Sequence, residues 1–327
     1  MSLELDFEVL CDDFDRLVAL ESIGVRPDNV AVRAIAKRWC VGQFAAGESR
    51  DKTVKTTSND IAQQFNDFFG IFGNLHIRMM KKMQNQCDRL EKHADDLEAR
   101  LAKAGTLQSH EVKTGSWTSM VCLEDVPNFK ACLALARKAD ALEAVVKQYT
   151  VATRQNPIVM GRYKETDDGF EKLGYSTNAA IHRASGILGR FTEANVKARP
   201  LAGNVIIVTR GEGEKERVEF GVAMGGNYKD KIPALETKEC KEAIAAIRSI
   251  AKTLRNRGAE NSLFGYHGIY KEIEKMKADL KKYEGKELKA ATWRYKNALQ
   301  LENGFTVALD RVGDGLVNWV AASIKAG

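Results

Sequence analysis

Apolar or small side chains recur at Ile61, Phe65, Phe68, Phe72, Leu75, Met79, Met83, Cys87, Leu90, Ala94, Leu97 and Leu101, a mean step of 3.64 residues. That is the period of a straight α-helix, so one stripe stays on one face for about 60 Å. The pattern predicts a long amphipathic helix over 58–104, capped by Ser58 or Asn59 and stopped at Gly105. Phe69 and Ile71 make its start apolar on more than one face. Its second half is charged opposite the stripe, at Lys81, Lys82, Asp88, Arg89, Lys92, Asp95, Asp96 and Arg100. The stripe is either core or partner surface. Met79, Met80 and Met83 favour core, because methionine at helical spacing fills packing gaps.

The same period predicts helices over 5–22 and from Asp28 or Asn29 through Trp39. It predicts others from Asn128 to about Ala152, from Asp167 or Asp168 through Leu188, and from Thr237 to Asn256-Arg257-Gly258. A further helical stretch runs from Ile269 to Gly285. Another, from Leu288, stops at Gly304, and a closing helix begins at Phe305. Residues 41–57 are polar and aperiodic and read as a linker. Trp117–Val121 reads as a short strand or tucked loop. After Pro200 the period changes to two. Val205–Thr209 and Val218–Val222 flank Gly211-Glu212-Gly213-Glu214, predicting a β-hairpin that must pack on helices or pair elsewhere.

The expected fold is therefore mainly α: a multi-helix bundle with long amphipathic helices and a small β-hairpin insertion. The expected divisions are an acidic helical leader (1–48), a helical body (49–200), the hairpin (201–224) and a lysine-rich helical bundle (225–327).

Five prolines in 327 residues leave long helices easy to build. No apolar run is long enough to cross a membrane, and the acidic start Met1-Ser2-Leu3-Glu4 lacks the basic, apolar character of a secretory signal. The expected site of synthesis is a cytoplasm. The six cysteines, Cys11, Cys40, Cys87, Cys122, Cys132 and Cys240, form no CxxC pair and read as small buried apolar residues. Charge is uneven. Residues 1–48 hold five Lys/Arg against nine Asp/Glu, a net −4, so with an overall charge of +6 the remainder carries +10. A basic body attracts polyanions without regard to sequence.

Catalytic signatures are missing from the sequence. There is no HExxH, no GxSxG and no GxxxxGK[ST], and Asp167-Asp168-Gly169 lacks the alternating oxygen ligands of a calcium loop. Lys271–Lys289 alternates lysines with acids, the pattern of a solvated helix face. The chain is accordingly expected not to be an enzyme, with no catalytic residues, no cofactor and no metal.

The order of features resembles the inner-body proteins of giant tailed bacteriophages (phiKZ-type), internal head proteins of the virion. The resemblance rests on the acidic helical leader, the linker, the long amphipathic body and two segments. One is Leu201-Ala202-Gly203-Asn204-Val205-Ile206-Ile207-Val208. The other is Ile232-Pro233-Ala234-Leu235-Glu236-Thr237-Lys238-Glu239, the entry to a lysine-rich bundle. The resemblance implies a structural protein of the capsid interior, made in the host cytoplasm. Its implied partners are other head proteins or itself, with non-specific contact to packaged DNA and no membrane.

It also implies maturation by a prohead protease that cuts after Glu in a small-residue-x-Glu site. Ala46-Gly47-Glu48, followed by Ser49, matches within the predicted linker, and cutting there would remove the acidic leader. Ala234-Leu235-Glu236, Gly258-Ala259-Glu260 and others match too, but a protease needs extended, exposed chain. Two readings from other classes stand beside this one. The first is a cellular helical adaptor or coiled-coil scaffold, which needs an exposed stripe. The second is an enzyme with a site assembled from distant residues.

Overall fold

A computed structural model describes residues 81, 83–107, 110–139, 142, 177–189, 191, 195–211, 217–223, 228–259 and 286–327. Within 286–300 it defines side chains for Asn297 and Gln300 alone. The leader, the linker, the Phe-rich start of the stripe and the segment from Ile269 to Tyr283 lie outside the described residues.

The described chain is mainly helical with small antiparallel sheets. The long stripe is helical over residues 83–104 (α1). Gly105, at φ +75°, ends α1 as its position predicts, its N–H donating to Leu101 O at 3.2 Å. A 3-10 helix at Ser116–Val121 occupies the place expected for a strand or loop. It is followed by α2, Phe129–Arg137, which starts where expected and whose N-cap Asn128 accepts from Ala131 N. Of the helix expected from Asp167 or Asp168 through Leu188, the part at Asn178–Leu188 (α3) is helical, capped by the extended Thr177, whose hydroxyl accepts from Ala180 N, and the expected start lies outside the described residues.

α4 spans Thr237–Gly258. Its cap is Glu236 rather than Thr237: Glu236 N donates to the Glu239 carboxylate, while Thr237 Oγ1 is taken by Leu107 N. The expected break at Gly304 does not occur, since α5 runs unbroken over Lys286–Ala326. Gly304 is there for packing. A Cβ at that point would lie 3.0 Å from Ile207 Cγ1 and 3.1 Å from Phe220 Cβ, so its absence lets α5 settle onto a sheet.

That sheet corrects the hairpin expectation. β4 (Lys197–Leu201), β5 (Val205–Arg210) and β6 (Arg217–Val222) form an antiparallel meander in that order. The β5–β6 pairing matches the predicted hairpin, with Val205 opposite Val222 and Arg210 opposite Arg217. β4 was hidden by Pro200, which a strand tolerates at a sheet edge. Two further pairs are small: β1 (Glu111–Lys113) with β7 (Lys231–Pro233), and β2 (Cys122–Leu123) with β3 (Val126–Pro127).

The meander is buried on both faces, hence the continuous run Val205-Ile206-Ile207-Val208. Val205, Ile207, Val218 and Phe220 join the main core beneath α5, whereas Ile206, Val208 and Ala198 form a second cluster beneath α3. α5 also packs on α4, α2 and the 3-10 helix. Leu90 of α1 lies where a Cβ on Gly313 would meet it at 3.0 Å. With neighbours on every side, α5 is buried at each position from 301 to 313. Each large apolar side chain so covered contributes roughly 1.5–3 kcal/mol.

Candidate functional site

A helix buried all round should be apolar all round, yet α5 carries Asn297, Glu302, Thr306, Arg311 and Ser323 in its buried part. Most of these take a polar group of the element docked beside them. Asn297 Oδ1 accepts Val218 N of the edge strand β6 at 3.1 Å. Arg311 Nε donates to Gly203 O at 2.6 Å, and its Nη2 to Ser119 Oγ at 3.2 Å. Trp319 Nε1 donates to Pro233 O at 3.1 Å, and Ser323 Oγ accepts Leu235 N at 2.9 Å. Glu302 receives Arg257 of α4. Each bond satisfies a buried group that would otherwise cost about 1–3 kcal/mol, and each fixes the position of one element along the helix.

Two segments, Leu201–Val208 and Ile232–Glu239, end on this helix. In the first, Gly203 (φ +89°) and Asn204 (φ +59°) make the β4–β5 turn. A Cβ on Gly203 would sit 3.1 Å from Ala308 O and 3.3 Å from Arg311 Cβ, so the turn lies against α5. Asn204 then joins three elements. Its N donates to Cys122 O, and its Nδ2 donates to Asp125 Oδ1 at 2.9 Å and Ala223 O at 3.0 Å. Its Oδ1 accepts from Asp125 N at 3.0 Å and from Arg183 Nη2 of α3 at 2.8 Å. Arg183 Nη2 also meets Asp125 Oδ1 at 2.6 Å. In the second segment, Ile232 pairs with Val112, Leu235 is held by Ser323, and Glu236 caps α4.

The residues of the predicted cleavage site and stripe divide by location. Ala46, Gly47, Glu48 and Ser49 lie outside the described residues, as do Phe65, Phe68, Phe72, Leu75 and Met79. Met83, Leu90, Leu97 and Leu101 are 0, 0, 2 and 4% exposed, inside the main core. On the outer side of this seam, Arg248 of α4 bonds Asp95 and Glu98 of α1, and Arg255 bonds Asp88 and Glu91. The descending order on one helix against ascending order on the other makes α1 and α4 antiparallel. Hydrogen bonding from Arg248, and its charge, hold the Glu98 carboxyl below its ordinary range.

The described thiols suit packing. Cys87, Cys122, Cys132 and Cys240 are buried and free. Burial pushes Cys87 and Cys122 up to about 12 and Cys240 up to about 11, and raises Cys132 too, so all are neutral thiols at physiological pH. Among the described residues no three His, Cys, Asp or Glu side chains gather as a metal site. An open groove of about 550 Å³ lies between the end of α1 and the start of α4, lined by Glu98, Leu101, Ala102, Thr237, Lys241 and Arg248. Two of its charged groups, Glu98 and Arg248, are bonded to each other at 2.6 Å.

Sequence reading missed the Asp125–Asn204–Arg183 node and the Arg257–Glu302 pair. For the node a signal existed, since Gly-Asn between two strand patterns is a tight-turn pair. For the buried pair none did.

Among the described residues, the fold and these junctions define a mainly helical chain organised around α5. No protein-family model, no curated protein and no solved structure matches it.

Proposed function

We propose that this chain is an internal structural protein of a tailed-phage head, packed beside the genome and matured by cleavage after Glu48. Its fold on this reading is a helical bundle whose work is packing and partner contact. The observation that carries the reading is where the two resemblance segments sit. Leu201–Val208 and Ile232–Glu239 are the pieces that dock the meander and α4 onto α5. A likeness concentrated in segments that set the core is what a shared fold would leave. The buried stripe of α1 weighs against the adaptor reading, which needs those side chains exposed.

The cleavage assignment gains support from a competitor. Ala234-Leu235-Glu236 matches the same small-residue-x-Glu pattern, but Ala234 and Leu235 are buried and their N–H groups are bonded to His110 O and Ser323 Oγ. Such a backbone cannot enter a protease cleft without unfolding. Mass spectrometry of purified particles tests the proposal. The expected result is the chain in the particle with its N-terminus at Ser49. An intact Met1 or Ser2 start throughout refutes maturation, and absence of the chain from particles refutes the virion reading.

A further inference from the structure

The described arginines and lysines are used differently. Arg89, Arg183, Arg210, Arg248, Arg255 and Arg257 each meet a carboxylate within 3.1 Å. They are committed to holding elements together. Three exposed lysines, by contrast, lie on or beside the β1–β7 pair. The register sets Lys113 directly opposite Lys231, with Val112 and Ile232 between their neighbours pointing into the core. Like charges directly opposed across two strands are unfavourable. Lys229 lies beside them, because Thr114 Oγ1 donates to Lys229 O at 3.2 Å and Thr114 N to Asp230 O at 2.9 Å. Among the described residues Lys113 and Lys229 meet no carboxylate. The Lys231–Glu111 contact is loose, at 3.9 Å with both side chains 65% exposed. The platform itself is firm, since Trp319 holds Pro233 and His110 O accepts Ala234 N.

We infer that Lys113, Lys229 and Lys231 form a phosphate-contact site for the backbone of nucleic acid. This deepens the virion reading and rests on it, since that reading is what supplies DNA as the neighbour. The chemistry suits the ligand. Lysine is a mobile point charge that meets phosphates without reading sequence, and a polyanion relieves the repulsion between Lys113 and Lys231. Neighbouring Glu111 and Asp230 limit the contact to a few phosphates.

The test measures binding of a short random-sequence duplex DNA to the full chain by fluorescence anisotropy across a salt series. Lys113→Gln/Lys229→Gln/Lys231→Gln is compared with Lys92→Gln/Lys241→Gln/Lys252→Gln, which removes the same charge from scattered exposed positions. The expected result is a loss on the order of tenfold at low salt for the first variant. Its slope of log K against log salt should be shallower by about 2 to 3 units, with a much smaller change in the control. Equal losses in both variants overturn the site in favour of general surface charge. Polyglutamate binding as tight as DNA overturns it in favour of an acidic protein partner. No DNA binding by the unaltered chain overturns it outright. None of these results bears on the particle N-terminus, which judges the virion reading separately.

Discussion

Arg257 donates from Nη1 to Glu302 Oε1 at 2.6 Å, with both side chains at 0% exposure, joining α4 to the middle of α5. Thr306 Oγ1 lies within 3.4 Å of the same oxygen, while Glu302 Oε2 has no hydrogen-bond partner among the described residues. Removing one partner strands the other charge in the core, so Arg257→Ala should cost about 3–5 kcal/mol. Replacing both with apolar residues of similar size, Arg257→Met/Glu302→Leu, should cost far less than the single change. Urea unfolding of the three proteins checks this. A double variant as unstable as Arg257→Ala would refute it.

The same pair has a pH signature. Burial raises the Glu302 carboxyl above its ordinary value despite the attraction of Arg257. Between the unfolded and folded values the native state therefore binds more protons than the unfolded one. The contribution of this group is full below the ordinary carboxylate value and falls as pH rises through the window up to the raised value. Glu302→Gln cannot ionise, so its stability relative to the unaltered protein should rise with pH across that window. A constant difference between the two denaturation curves would show that Glu302 does not titrate differently on folding.

One substitution should have opposite signs at two helical glycines. Gly186 of α3 has nothing within 4 Å of where a Cβ would stand, so Gly186→Ala should stabilise by about 0.5–1 kcal/mol through helix propensity alone. Gly304 of α5 has Ile207 at 3.0 Å and Phe220 at 3.1 Å in that place. Gly304→Ala must push the sheet off the helix, at a cost of about 1–3 kcal/mol. Ile207→Val beside it should recover part of the loss. Thermal unfolding of the four proteins decides.

Gly304 also shows where reading the chain succeeds and fails. Its flanks, Leu301 and Phe305, announce a helix by their spacing, and a glycine between them looks like a stop. What keeps the helix going is a sheet formed by residues nearly a hundred positions away, and spacing does not report that. The α1 stripe, the β5–β6 pair, the helix start at Asn128 and the stop at Gly105 were legible because each depends on neighbours within a turn or a strand. β4 was not, because Pro200 argues against a strand unless the strand is known to lie at an edge. The buried polar groups of α5 were unreadable for the same reason as Gly304: Arg257 and Glu302 look like ordinary surface charges until their surroundings are known.

Asn204 separates two costs that usually come together. Its φ of +59° is a conformation glycine adopts freely and alanine resists, and its side chain bonds Asp125, Ala223 and Arg183. Asn204→Gly loses the bonds alone. Asn204→Ala loses the bonds and adds about 1–2 kcal/mol of backbone strain. The expected order of stability is unaltered protein, then glycine, then alanine, measured by urea midpoint at constant slope. Equal midpoints for the two variants would mean that the turn does not need its left-handed residue.

The ladder between α1 and α4 should respond to salt and acid while the core beneath it does not. Arg248 and Arg255 bind their four carboxylates at the surface, where ions screen such pairs effectively. Met83, Leu90 and Leu97 lie under them and are indifferent to ionic strength. Arg248→Gln/Arg255→Gln should therefore weaken the chain at low salt and become indistinguishable from the unaltered protein as salt rises. Glu98 adds a direction in pH. Its carboxyl is depressed by Arg248, so its contribution is present above the ordinary carboxylate value and disappears as pH falls through the depressed one. Amide exchange in residues 83–104 reads both effects at the helix itself. Faster exchange in the double variant at low salt, returning to the parent rate at high salt, is the expected pattern, and a difference that persists at high salt would assign the two arginines a packing role through their alkyl stems.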